Sequence, residues 1–281
     1  MFRALSLLPL PILYAVFGVV ALGLRLAGWR RGLMLAALGR CLPDLPAAER
    51  QRLVRLSYSY LGELAAEVLH APRMSRGEVA AGLRFENPDV VQQALAGGRR
   101  VLLLAAHHCN WEWLLLACST AFEKPLHAAY KPASWPPADR ALKSMRSHFG
   151  ATMVPAKTLI THMLEQRGKV KLLALLADQS PPAVSEHQAW LPFFGQETAF
   201  FTGPGWIGAR MGFEPHFIAL RREGRGRYVA RLVPLVPPGT RADAAQIIAA
   251  YVTALEAQVR AHPAQYFWAY NRWKRARGLY E

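Results

Sequence analysis

With 281 residues the chain can bury one large core, but it has little room for two independent enzymatic domains. Its 52% hydrophobic and 19% charged residues exclude the disordered, collagen-like and disulfide-scaffold classes. Lys plus Arg total 34 against 19 Asp plus Glu, a formal charge of +15, and only seven of the basic residues are Lys. Such an excess suits nucleic acid, an anionic membrane surface or an acidic protein partner, and net charge alone does not choose among them. Cys41, Cys109 and Cys118 are an odd set without paired-ligand spacing. Neither a disulfide framework nor a zinc ribbon is supported, and a reducing cytoplasm fits.

In chain order, Ala4 to Leu24 is a run of 21 uncharged, mostly apolar residues, long enough as one helix to cross a hydrocarbon layer of about 30 Å. Arg25, Arg30, Arg31 and Arg40 follow it and only Arg3 precedes it, so the positive-inside rule places the rest of the chain in the cytoplasm. No small-residue cleavage site follows the run, so an uncleaved anchor over residues 1–28 is expected. Pro9 and Pro11 weaken a straight span and leave open a helix lying in the interface.

Arg30 to Leu42 and Ala47 to Leu69 read as helices separated by Pro43 and Pro46, a helical N-terminal layer. An extended stretch from Arg84 to Pro88 and a short helix from Asp89 to Leu95 end at Gly97-Gly98. Val101 to Ala106 is an apolar run of strand length, of the kind buried on both faces. Beyond it the pattern alternates. Helices are expected over Asn110 to Ala121, Ala138 to Phe149, Thr158 to Gln166, Gly203 to Met211 and Asp243 to Ala261. Strands are expected over Leu126 to Tyr130, Val170 to Leu176, Phe213 to Arg221 and Tyr228 to Pro234. Strands separated by helices imply an α/β fold with a mainly parallel central sheet flanked by helices.

Directly after the first core strand comes His107-His-Cys-Asn-Trp-Glu112. Ligands of open α/β sheets gather at the carboxyl ends of strands. There a neutral imidazole takes the proton of a substrate hydroxyl, and a carboxylate holds its tautomer. A His and a Glu with four residues between them also occur by chance, and a lone His at a strand end is commonly structural. His108 and Cys109 raise a zinc reading, although adjacent residues of an extended segment face opposite ways and H-E-x-x-H is absent. Cys109 as an acyl-carrying nucleophile competes with a buried inert thiol. Asp178 and Gln179 follow the strand ending at Leu176, either as a polar contact to substrate or as a turn before Pro181-Pro182. Asn110 is either a polar ligand or a helix cap. Trp190, Phe193, Phe194, Phe200 and Phe201 line an acyl channel or, more commonly for such clusters, pack a core.

A series of motifs spanning nearly the whole chain resembles the lipid A biosynthesis acyltransferase family. The family's H-F-G-N-W-E block is similar to residues 107–112, its Y-R-P to Tyr130-Lys-Pro132, its A-D-Q to Ala177-Asp-Gln179 and its F-F-G to Phe193-Phe-Gly195. Its T-G-P resembles Thr202-Gly-Pro204, and its terminal W-x-x-R-R-W-K resembles residues 268–274. The departures are His108 and Cys109 for Phe and Gly, Lys131 for Arg, and Asn271 for Arg. A Lys at 131 keeps charge but loses the bidentate fork.

The resemblance implies a glycerol-phosphate acyltransferase-like fold over residues 29–281. It implies an O-acyltransferase on the cytoplasmic face of the inner membrane that takes an acyl group from acyl carrier protein. The acceptor implied is a hydroxyl of a lipid A precursor or related glycolipid. His107 carries over as general base and Glu112 as its partner. Substrate contacts are expected at Asn110, Lys131, Asp178, Gln179, Arg210 and Arg272; the sequence does not identify the oxyanion donors, for which Lys131 and the backbone N–H groups near Asn110 are candidates. No cofactor and no metal are expected. Nothing in the chain resembles a helix-turn-helix, an RNA-recognition sheet or a zinc finger, so nucleic acid is not an expected partner.

Overall fold

The computed structural model describes residues 6–166, 168–182 and 187–274; Arg3, Ala4 and Leu5 of the apolar N-terminus lie outside them. The apolar run becomes α1 (Leu10–Leu26), which starts after Pro9 with Pro11 in its first turn. A sharp turn through Gly28 (φ +66°) and Arg30 (φ +55°) bends the chain by 81° into α2 (Arg31–Cys41). The long α3 (Ala47–His70) follows, a 3₁₀ turn closes it, and α4 (Arg76–Gly82) begins at a capping box made by Ser75 and Glu78.

Among the described residues, nine strands form the rest of the frame: β1 (Leu83–Phe85), β2 (Arg100–Ala105), β3 (Leu126–Tyr130), β4 (Thr152–Pro155), β5 (Leu172–Leu176), β6 (Gln188–Phe193), β7 (Gln196–Phe201), β8 (Phe213–Gly224) and β9 (Arg227–Pro234). Seven of them make one sheet in the order β1-β9-β8-β2-β5-β3-β4. All neighbours in it are parallel except β8 and β9, which are joined as a hairpin. Between the strands run α5 (Asp89–Ala96), α6 (Trp111–Ala121), α7 (Pro136–Arg146), α8 (Leu159–Glu165) and α9 (Gly203–Met211), and α10 (Ala244–Ala261) follows β9. The class expected from the alternating pattern, a mainly parallel sheet in an α/β fold, is the one formed.

Strand alternation divides the core into two layers. Leu102, Leu104 and Ala106 face a layer with Leu173, Phe217 and Tyr251 that also takes in Met34, Leu38 and Tyr58 of the N-terminal helices. Val101, Leu103 and Ala105 face the opposite layer with Trp113, Leu116 and Ile218. Residues 101–104 are fully buried, as a central parallel strand covered on both faces must be. Close helix packing adds rigidity: Gly205 of α9 sits against the Ala244 carbonyl and Ile248 of α10, where no Cβ fits without displacement.

Four elements, α4 and the strands β4, β6 and β7, have no counterpart among those expected. The edge strand β4 is four residues long and ends in Pro155, too short to carry a periodic signal. The β6–β7 hairpin turns on Phe194-Gly195, both with positive φ (+55° and +70°), the requirement of a two-residue type I′ turn. Phe at the first turn position masks that signal. The Phe194 N–H donates to Glu256 Oε2 at 2.6 Å, and Arg260 covers its ring. The aromatics split accordingly: Phe193, Phe194 and Phe200 are buried in the core, and Trp190 and Phe201 are half-buried.

Candidate active site

β2 and β5 are neighbours running parallel, with Ala105 opposite Leu176, so the segments leaving their carboxyl ends emerge side by side. His107 and Asp178 therefore meet. The ring Nδ1 lies 2.7 Å from Asp178 Oδ1, and the backbone N–H of His107 donates to Asp178 Oδ2 at 3.0 Å. With both its oxygens engaged, the carboxylate fixes the tautomer that carries its proton on Nδ1 and leaves Nε2 as the acceptor nitrogen. Gln179 Nε2 stands 3.3 Å from that Nε2. The edge of Trp111 packs on the imidazole at 4.9 Å between ring centroids. The end of β2 is held from behind, where the Tyr251 hydroxyl donates to the Ala105 carbonyl at 3.0 Å.

Burial penalises the His107 imidazolium, but the adjacent Asp178 carboxylate outweighs it and the pKa is raised above the ordinary value. Burial likewise opposes ionisation of Asp178, and His107 outweighs it, so this carboxyl lies below its ordinary value. The pair supports its own charge separation in a site from which Asp178 is almost wholly withdrawn from solvent.

Glu112 occupies a different position from the one its sequence spacing implied. It does not hydrogen-bond to the His107 ring. Its two oxygens accept from Arg146 of α7, Nε to Oε2 at 2.8 Å and Nη2 to Oε1 at 2.5 Å, a bidentate fork. Burial works against the Arg146 charge, yet Glu112 raises its pKa further. Arg146 carried no signal in the sequence, being one of many arginines in a strongly basic chain.

Asn110 is a structural cap. Its Oδ1 accepts from the Trp113 N–H at 2.9 Å and its Nδ2 donates to Glu67 Oε2 at 2.6 Å. Glu67, fully buried on α3, also accepts from the Tyr14 and Tyr228 hydroxyls and the Gly226 N–H. Burial raises its pKa against these hydrogen bonds. This hub ties α1, α3, the turn before α6 and the β8–β9 hairpin together, and a glutamate in the polar-apolar pattern of a helix gave no hint of it.

The remaining expected contacts separate. Lys131 leaves β3 at the same end of the sheet, exposed to solvent. Arg272 is buried: it donates to Ser180 Oγ (2.9 Å) and the Ala199 carbonyl (2.6 Å) and lies over the Phe200 ring. It braces the Asp178–Ser180 loop from within, and burial lowers its pKa. Arg210 is at the other end of the molecule. It ends α9 just before β8, whose first residues pair with the start of β2. There it lines a cleft of about 590 Å³ with Arg99, Arg100 and Arg241. The physical reason is topological, since a helix leading into a parallel strand ends at the sheet's amino edge.

His108 and Cys109 do not face opposite ways as expected: the Cys109 sulfur lies 3.3 Å from His108 Nδ1. His108 is buried, with Nε2 3.2 Å from the His262 carbonyl and its pKa pushed down to about 4. The Cys109 thiol donates to Gln265 Oε1 at 2.9 Å, and burial pushes its pKa well above the ordinary value. Its backbone is left-handed (φ +53°), the conformation glycine adopts freely, which accounts for glycine in the corresponding family block. Among the described residues, no three His, Cys, Asp or Glu side chains converge as metal ligands. A small cavity of about 30 Å³ is lined by Tyr60, Leu61 and Leu64 of α3 together with Cys109, Trp111 and Phe267.

The site that this α/β fold presents is a buried His–carboxylate pair at the carboxyl ends of two central parallel strands. The chain belongs to the bacterial lipid A biosynthesis acyltransferase family, whose sequence model matches residues 1–275. It is an acyltransferase of the lipid A type. No curated protein matches it in a sequence search.

Proposed function

We propose that the protein transfers a fatty acyl group from an acyl carrier protein thioester to a hydroxyl of a lipid A precursor, at the cytoplasmic face of the inner membrane. The observation that carries the mechanism is the 2.7 Å contact between His107 Nδ1 and Asp178, which leaves Nε2 as the basic atom. The Gln179 amide beside Nε2 marks the position that the acceptor hydroxyl takes. His107 removes the hydroxyl proton as the oxygen attacks the thioester carbonyl. A C–O bond forms through a tetrahedral oxyanion, the C–S bond breaks, and the imidazolium returns the proton to the departing thiolate. Asp178 holds the ring and stabilises the imidazolium. Glu112 acts through Arg146: it keeps a guanidinium near the reaction centre, available to the oxyanion or to a phosphate of the acceptor. Arg272 positions the Asp178–Gln179 loop. Asn110, in this reading, is a cap, and Lys131 is the exposed cation at the rim, suited to the acidic donor protein or to headgroup phosphate.

The test is transfer by purified protein with labelled acyl carrier protein donors and a tetra-acylated lipid A precursor, read by mass spectrometry. Wild type is expected to add one acyl mass. His107→Ala and Glu112→Ala are expected to lose it by about 10³-fold or more while remaining folded. Activity insensitive to His107→Ala sinks the mechanism, and no product with any donor sinks the lipid A acceptor.

A further inference from the structure

α1 has no polar face. Its docking stripe is Leu13, Phe17, Ala21 and Leu24, of which Leu13 and Ala21 are buried against the domain. The opposite arc, about 160° wide at 100° per residue, holds Ile12, Val16, Val19, Val20, Leu22 and Leu26, all exposed; Val19 is 72% and Leu26 78% accessible. A helix on the surface of a protein in water carries polar residues on that arc. One built this way is solvated by something apolar.

Two arrangements supply that environment: a span, or a helix lying in the plane of one leaflet. Several contacts oppose a span. α1 has 17 residues, about 25 Å at 1.5 Å per residue, shorter than the hydrocarbon layer. The bent partner α2 cannot extend it, because Met34, Leu38 and Cys41 are part of the central core. α1 is bound to the domain along its length. At its start, Arg73 Nη1 donates to the carbonyls of Ser6 (3.2 Å) and Leu7 (2.7 Å). In its first half the Tyr14 hydroxyl donates to Glu67 Oε1 at 2.7 Å. In the middle, Gly62 of α3 meets the Phe17 carbonyl so closely that a Cβ there would sit 2.7 Å from it. Beyond its end, the Tyr58 hydroxyl donates to the Trp29 carbonyl and Arg30 to the Ala269 carbonyl, each at 2.7 Å. Withdrawing α1 into a perpendicular span breaks these contacts and removes a donor from a buried carboxylate.

We propose that α1 is an in-plane membrane-docking helix whose Ile12–Leu26 apolar face enters the acyl region of one anionic leaflet, with both helix ends on the catalytic side. This rests on the membrane setting of the proposed function and specifies its geometry. The surrounding charge fits the partner: Arg25, Arg31, Arg73 and Arg225 are exposed near the two ends of α1, at the height of lipid headgroups, and the exposed Trp29 is an interfacial residue type. Trp111, whose ring packs on His107, shares a small cavity with Tyr60, Leu61 and Leu64 of α3, the helix that carries α1.

Two measurements on the full-length chain test this. In cells, an alkaline phosphatase fused before residue 1 is expected to be inactive, and a fluorescent protein there and one after residue 281 are both expected to fluoresce. An active phosphatase at the amino end overturns the proposal. In flotation with phosphatidylglycerol-containing vesicles, the double variant Val19→Asp, Leu26→Asp is expected to lose at least about tenfold in partition with an unchanged melting temperature, since these side chains lie on the face away from the domain. Unchanged partition overturns it. Transfer to a detergent-dispersed acceptor is assayed separately: its absence in wild type counts against the acyltransferase reading while leaving the docking result to stand or fall on its own.

Discussion

At the residue scale, the orientation of one imidazole governs chemistry and pH response together. Asp178→Asn removes the acceptor that fixes the Nδ1 proton, and the ring is then free to present the wrong tautomer. The expected loss in kcat is about 10³–10⁴-fold, with KM little changed. Only neutral His107 accepts a proton, and its pKa is raised by Asp178, so the acid limb of kcat/KM falls above pH of about 6.5 in wild type and moves down in the Asn variant. An acid limb unmoved by the substitution contradicts this coupling. The pair bears on stability as well. The raised His107 value gives a contribution present below its unfolded pKa and lost as pH rises through the folded one. The depressed Asp178 value gives one present above its unfolded pKa and lost as pH falls through the folded one. Both act together between about pH 4 and 6.5. Cys109 provides the contrast: its thiol is buried and held protonated. Cys109→Ser is expected to retain activity within about threefold, because a thiol with a strongly raised pKa is a poor nucleophile. Trapping of an acyl group on Cys109 by mass spectrometry would be the contrary result.

At the element scale, precision at the site depends on how β2 and α6 are held. The tight turn between them, with left-handed Cys109 and the Asn110 cap, aims His107 at Asp178 and Glu112 at Arg146. Asn110→Ala removes the cap and one donor to Glu67, and a loss of about 2 kcal/mol in urea unfolding is expected. Far from the site, Gly205→Val forces α9 away from the Ala244 carbonyl and Ile248, with an expected cost of about 1–3 kcal/mol and little change in KM. A neutral result at either position shows that the helix concerned shifts without penalty. Most elements were legible because their signals are local: β2 is an unbroken apolar run, α10 begins at the Asp243–Gln246 capping box, and α3 has regular apolar spacing. The β6–β7 hairpin was not, because Phe194 holds a left-handed turn only with Glu256 and Arg260 of a distant helix around it.

At the scale of the whole molecule, a net charge of +15 accompanies an exposed apolar helix face. Adsorption to phosphatidylglycerol vesicles is expected to weaken as NaCl rises from about 0.1 to about 0.5 M, whereas the smaller adsorption to uncharged vesicles persists, since salt screens the arginines and leaves the apolar contact intact. Salt-independent binding to both counts against a charge contribution. The opposite end of the sheet, with Arg99, Arg100, Arg210 and Arg241, lies away from His107, so basic residues serve at least two separate surfaces of this chain.

The α/β class, the strand leading into His107 and the family motifs are properties of the sequence by itself, because hydrophobic period, caps and short blocks depend on near neighbours. The partner of His107 is not of that kind. Glu112 is five positions away and Asp178 seventy-one, yet parallel pairing of β2 with β5 brings the distant carboxylate to 2.7 Å and the turn into α6 carries the near one to Arg146. The tertiary structure likewise decided that Arg272, expected as a substrate contact, is buried against the Asp178–Ser180 loop, and that Arg210 lies at the other end of the sheet. Which charges meet depends on strand order and helix direction, which arise only when the two apolar layers close on the sheet.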